Sequence, residues 1–458
     1  MFFCNFNIRN MEKIICFLFV LFQAAGIFAQ CETEPRLPAE KEVLKEIRTL
    51  KQSAKPADFL LTITASVAGA SWKTRGAEAA VLSIFVDGKY HQDIILFAGA
   101  KAFEYQAMLV KLSAGGHQIS IVRNKARSAP NAGQIKIKAA FAVPFDDLIA
   151  NSKTTDRSIP AYLATINAPF IYLRAETIDK FSDIPLLTYY EIFDEPENVW
   201  RIRYTTIFTN EDGGTQSAAL MARWGRMTDI EWIYEIRVRE NGEILSAIYQ
   251  GANHETKDFN GQRFASHPLI LDATVNNNFS DTGCSPLRIS PMLVQANLSG
   301  GSRETIMDAF PWTYRIMAEE ALREGRINPA NLGANTIADP RDYLYMEIQT
   351  DPENAAISVE IENKAEKSLS DFGDRRLRID RSGFVRIAVR KPAGMNKNLP
   401  ETVNIICSAI SSTKTGSCRN LGLRKIVWLD RNYFPREKRL RAETQNIETG
   451  GKAIFRIE

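Results

Sequence analysis

Short runs of alternating apolar and polar residues, closed by Gly, Asn, Asp or Pro, recur along most of this chain and predict strands. In the stretch from Val199 to Phe208, residues Trp200, Ile202, Tyr204, Thr206 and Phe208 fall on one face of the pleat. Arg201, Arg203 and Thr205 fall on the other, the pattern of a sheet with one wet face. Leu60 to Val67, Val81 to Val86, Ile94 to Phe97, Tyr105 to Leu112, His117 to Val122 and Gln134 to Phe141 read as strands. Asp87 and Gly88 supply a type I′ hairpin signal and Gly115 with Gly116 a turn. Together they predict a β-sandwich of about seven strands over 58–145.

The polar, aperiodic stretch 146–168 then reads as a linker. A central β domain is expected over 169–342, with strands near Leu186 to Phe193, Val199 to Phe208, Ala218 to Trp224, Ile230 to Val238 and Ile244 to Tyr249. Phe310, Tyr314, Met317 and Ala321 recur at helical spacing, so a helix over 302–325 interrupts it, with Pro311 at its first turn or at a kink. Strands resume over 343–458, as a third domain or as the completion of the second. The fold class is therefore all-β, multidomain β-sandwiches with a few short helices.

Two segments precede the first sandwich. Lys13, the apolar run from Ile14 to Phe22 and a small residue at Ala29 read as a signal peptide over 1–29. A helical leader follows over 30–57, because Leu44, Ile47 and Leu50 recur every three residues among charged ones. Gln30 and Phe28 do not fit a lipobox at Cys31, so the protein is expected to be secreted or periplasmic, with no transmembrane segment after signal removal. Removing the leader leaves Cys31, Cys284, Cys407 and Cys418, which can pair in three ways. The polar loop between Cys407 and Cys418 favours that bridge, leaving Cys31 with Cys284.

Composition narrows the partners. With 57 basic and 54 acidic side chains the net charge is only +3, and no basic stripe interleaved with aromatics is visible, which argues against nucleic acid. Hydrophobic residues at 45% supply enough material for real cores.

Candidate chemistry concentrates between Phe208 and Glu235. Asp229 and Glu231 are two apart in a strand-like stretch, so the pleat projects both carboxylates from one face, a spacing suited to a cation or to an acid and a base. A solvated sheet face explains the same alternation, with Ile233 as its exception. Asn210, Glu211 and Asp212, followed by Gly213 and Gly214, form a polar hairpin end able to meet that pair across the sheet, and Trp224 supplies an aromatic nearby. His254, beside Glu255 in a polar loop, can act as a base or a ligand. Asn276, Asn277 and Asn278 precede Phe279, and amides beside an aromatic suit sugar hydroxyls, because an amide both donates and accepts. Glycoside hydrolysis by the pair needs a partner from another strand, such as Glu191, Asp212 or Asp308.

The segment GRMTDIEW, with Gly225, Asp229 and Glu231, resembles the G-H-R-H-D-W-E heptapeptide of the necrosis- and ethylene-inducing toxin family and the G-D-W-E of the vacuolar protein sorting related family. YQGANHE, with His254, and SHPLILDATVNNNF, with His267 and Pro268, resemble the downstream His-containing and H-P-V segments of the second. The resemblance implies a β-sandwich, a divalent cation held by the motif and engagement of sphingolipid glycans. Both motif histidines are replaced, by Arg226 and Thr228, and a guanidinium repels a cation. The functional expectation is an exported glycan- or cell-surface-binding protein with an acidic cleft, assisted by a divalent cation. The alternatives are a hydrolase acting on polysaccharide or glycolipid through paired carboxylates, and an envelope structural protein.

Overall fold

The structure is a computed structural model that describes residues 43–49, 56–145, 159–211, 213–362, 366–395, 399–411 and 415–457. The expected signal peptide lies outside the described residues. Strands dominate, joined by a few short helices, as the hydrophobic pattern requires.

In the first sandwich the Ala57–Val67 strand lies between Phe103–Leu112 and Ile135–Pro144. The facing sheet runs Val43–Arg48, Gln118–Arg123, Ala80–Val86, Lys89–Leu96. Asp87 and Gly88 join the last two with φ of 48° and 79°, the left-handed pair that a type I′ turn demands. Val43–Arg48 corrects the helical leader: this segment is a strand that pairs with Gln118–Arg123, Ile47 opposite Ile119. An apolar residue every third position is weak helical evidence over so short a span, and the open edge of a sheet overrides it.

Three further corrections concern helices. The span expected to be a linker contains the helix Ile159–Ile166, which buries Ala161, Leu163 and Ala164 and whose Ala164 carbonyl accepts from the Tyr204 hydroxyl at 2.6 Å. Ala218 to Trp224 is not a strand but belongs to the helix Ser217–Trp224, whose Leu220 and Met221 are buried in a core shared with the helix Trp312–Arg323. The long helix expected over 302–325 is two, Thr305–Ala309 and Trp312–Arg323. They break at Phe310, with Pro311 capping the second because proline is preorganised for a first turn and not for an interior.

The central unit is built on a six-stranded sheet in the order Thr256–Asp258, Ile244–Gln250, Ile230–Arg239, Val199–Phe208, Pro185–Glu195, Met292–Gln295, the last strand parallel to its neighbour. One core joins its Tyr204, Tyr234 and Ile236 face to the first sandwich. On the opposite face Leu187, Ile207 and Ile230 share a second core with the helix Trp312–Arg323 and with Tyr345 and Val427. The stretch 343–458 adds two sheets around a third core of its own, which includes Ile348, Ile357, Val403 and Leu423. Cys407 and Cys418 are bridged there, on strands that belong to the two different sheets. Cys284 is disulfide-bonded too, and its expected partner Cys31 lies outside the described residues. Among the described residues no helix is long and apolar enough to cross a membrane.

Candidate functional site

The Ile230–Arg239 strand carries a bulge: Tyr234 pairs with Tyr204 but Trp232 with Thr205, leaving Ile233 as the extra residue. This accounts for the apolar exception in the alternating pattern and reassigns the faces. Beyond the bulge Glu235 sits opposite Arg203 on the wet side and takes ion pairs from Arg201 and Arg203 at 3.0 and 2.7 Å. Before it Glu231 sits opposite Thr206, on the core side with Tyr204. Asp229 immediately precedes the strand, and it flanks Ile230 opposite Glu231, so the two carboxylates share the buried face and not a solvated one.

Around them the polar loops converge. Gln250 Nε2 donates to Glu231 Oε2 at 2.7 Å, and His254 Nδ1 lies 3.8 Å from the same oxygen. The histidine ring is bracketed by amides, Asn276 Nδ2 at 3.0 Å from Nε2 and Asn278 Nδ2 at 3.3 Å from Nδ1. Asn277 is fully buried and its Nδ2 bridges Asp183 Oδ1 at 2.8 Å and Asp229 Oδ2 at 2.9 Å; its own Oδ1 is without a hydrogen-bond partner among the described residues. Arg174 holds the other edge of Asp183, at 2.8 Å, together with Asp272 at 3.0 Å. Asn253, His254 and Asn277 all adopt left-handed backbone, at φ of 59°, 59° and 45°, a cluster of costly conformations of the kind found where geometry matters.

Glu211 completes the group. Gly213 and Gly214 let its loop lie against the asparagine run, since a Cβ at either would stand within 2.9 Å of Val275 or Asn276. Arg326 fastens the loop from the other side, donating to Asn210 Oδ1 and to the Glu211 carbonyl, both at 2.8 Å. Burial, with the Asp229 charge in addition, pushes the Glu211 carboxyl up to about 7. Burial and Asp229 likewise drive Glu231 well above the usual carboxylate range, so it holds a proton near neutral pH.

Beside this cluster opens a cleft of about 520 Å³, lined by Asn210, Glu211, Gln216, Arg174, Arg326 and Asn335 among others. Of the residues singled out in the sequence, Glu211 lines it, and Asp229, Glu231, His254 and Asn276 to Asn278 meet behind and beside it. Asp212 lies outside the described residues. Trp224 is elsewhere: it ends its helix between the guanidiniums of Arg223 and Arg381, at 5.3 and 5.1 Å from the ring, and does not line the cleft. Asp308, a candidate partner carboxylate, is spent on Arg386 and Lys425 at 2.7 Å each. Arg174, Asp183, Gln250 and Arg326 carried no sequence signal; each comes from a separate segment and only the fold assembles them.

At the positions behind the motif resemblance, Gly225 caps its helix with φ of 62°, Arg226 pairs with Glu304 at 2.9 Å, and His267 is fully buried, 2.7 Å from the Ala168 carbonyl. Among the described residues no three His, Cys, Asp or Glu side chains are grouped to hold a metal ion. No family model matches the chain, and no curated protein matches it. One solved structure, described as the EclA C-terminal domain, a sugar-binding protein, aligns with 24% of this chain and 88% of its own at 13% identity. Its TM-score is 0.15, a likeness too slight to carry over fold or ligand.

Proposed function

We infer that this chain is an exported glycan-binding protein whose ligand occupies the cleft beside Glu211. The observation that carries the reading is the chemistry of the lining: two amides of asparagine and one of glutamine, the carboxyls of Glu176, Glu211 and Glu324, the Lys180 ammonium and two guanidiniums face one concavity, a set that matches the paired donors and acceptors of sugar hydroxyls. Its walls are held rigid by the Arg326 and Asn277 hydrogen bonds, which lowers the ordering cost of binding. The Cys407–Cys418 bridge and the apolar run near Lys13 support a secreted or periplasmic location.

Titration calorimetry and thermal melts against a broad glycan panel test this. A ligand should raise the melting temperature of the wild type, and Glu211→Ala should weaken it about tenfold or more, the cost of losing a hydrogen bond to an ionisable group. If no glycan in the panel binds, the reading is wrong and a structural role in the envelope gains.

A second reading is favoured by one observation, the proton held on Glu231 beside Asp229. A protonated carboxyl can serve as the general acid in cleavage of a glycosidic bond, with the second carboxyl supplied by another segment across the bond. On that reading Glu231→Gln retains binding and abolishes product release; product formation by the variant at the wild-type rate would exclude it.

A further inference from the structure

A second concavity, of about 490 Å³, opens where the first sandwich meets a five-stranded sheet of the central unit that includes Arg263–Phe264, His267–Asp272, Phe170–Tyr172 and Arg288–Ile289. Lys89, Lys111, Arg263 and Arg288 line it, with the aromatic rings of Tyr90 and Phe264. Arg288 is buried, its guanidinium 4.9 Å from the Phe264 ring and 5.5 Å from that of Tyr90. Arg263 is fixed over Phe259 and Tyr234 at 5.0 and 5.8 Å and donates to the Tyr234 hydroxyl at 2.6 Å. The carboxylate in the lining, Asp87, and two nearby, Asp93 and Asp58, already have partners of their own. Asp87 Oδ2 lies 2.6 Å from His117 Nδ1 and its Oδ1 accepts from the Gln118 amide. Asp93 accepts from Tyr90 and Ser83 hydroxyls, and Asp58 accepts from the Lys111 amide at 3.0 Å and lies 3.1 Å from His267.

Lys111 is the telling residue. Its φ is 59°, a left-handed conformation that lysine adopts at a cost, and it stands at an irregularity where Leu112 pairs with Ala57 but Leu109 with Phe59. Bulges of this kind re-aim side chains. Both amides released from the ladder are recovered by side chains: Val110 donates to His91 Nε2 at 3.0 Å and Lys111 to Asp58. His91 is held far below the usual imidazole range by burial and by the Arg288 charge, so it stays neutral and able to accept. Neighbouring elements thus hold Lys111 in a strained backbone on the rim of a cationic, aromatic cleft.

We propose that this cleft is a binding site for an acidic saccharide, its anionic group held by Lys111, Lys89 and Arg263 and its ring laid against Tyr90 and Phe264. Guanidinium and ammonium groups supply charge-assisted bonds to a carboxylate or a sulfate, and an aromatic wall supplies the apolar contact that a pyranose face accepts. The site is separate from the Glu211 cleft and does not depend on its ligand.

Calorimetry with three probes tests it: a short heparin-derived oligosaccharide, an oligogalacturonate and a neutral chito-oligosaccharide. Binding of the oligogalacturonate assigns a carboxylate, and binding of the heparin fragment alone assigns a sulfate. Either should weaken as salt rises, because exposed charges are screened. Lys111→Gly separates recognition from folding: it relieves the left-handed strain, so the melting temperature should hold or rise while affinity falls about tenfold. Lys89→Gln, at an exposed position, should act in the same direction. Absence of binding to both acidic probes, equal binding of the neutral one, or wild-type affinity in both variants overturns the proposal.

Discussion

Glu211 shows how one buried carboxyl ties the site to stability. Its ordinary value of 4.5 is raised to about 7 in the folded protein, so between those two pH values the native state holds a proton that the unfolded chain has released. Stability therefore falls as pH rises through that window. Glu211→Gln keeps the shape and removes the titration: thermal melts from pH 5 to 8 should show a shallower decline than the wild type and a higher melting temperature at the alkaline end. At this scale the sequence was a good guide to which residues gather and a poor one to how. Asn276 to Asn278, His254, Asp229 and Glu231 do come together, because loops at one end of a sheet must share space. A wet face does not account for them, because the bulge at Ile233, which no propensity announces, turns Glu231 to the core side. Asp183 and Arg326, from remote segments, had no local signature at all.

Elements tell a similar story with a different cause. Alternation found the strands that are buried on one side, such as Val199–Phe208, since burial and period coincide there. Periodicity misled at the strand Val43–Arg48, read as helix, and at the helix Ser217–Trp224, read as strand, each too short for its period to be distinctive. That helix ends at Gly225, whose φ is 62° and whose absent Cβ would stand 2.7 Å from the Arg386 side chain. Gly225→Ala therefore meets both a left-handed backbone and a blocked space. It should cost about 1 to 3 kcal/mol in denaturant unfolding, with a midpoint shift at unchanged slope.

Across the whole molecule the units are fastened by buried polar joints as well as by shared cores. Arg386, on the Gly383–Arg390 strand, is fully buried and reaches Asp308 and Glu347 at 2.7 Å each and the Tyr314 hydroxyl at 2.9 Å. Burial opposes the charge on Asp308, yet Arg386 and Lys425 hold that carboxyl well below its usual range. Arg386→Ala would leave Glu347 without its cation in the interior and Asp308 with Lys425 alone, and loss of one partner of such a network costs about 3 to 5 kcal/mol, measurable by chemical denaturation. The joint on the other side has its own consequence. Trp72 of the first sandwich is fully buried, its indole N–H donates to Glu320 at 2.9 Å, and Arg323 lies 5.4 Å from its ring. An indole so enclosed by charge and sealed from water makes the protein its own optical reporter: separation of the first sandwich from the helix Trp312–Arg323 would expose Trp72 and shift its emission to the red.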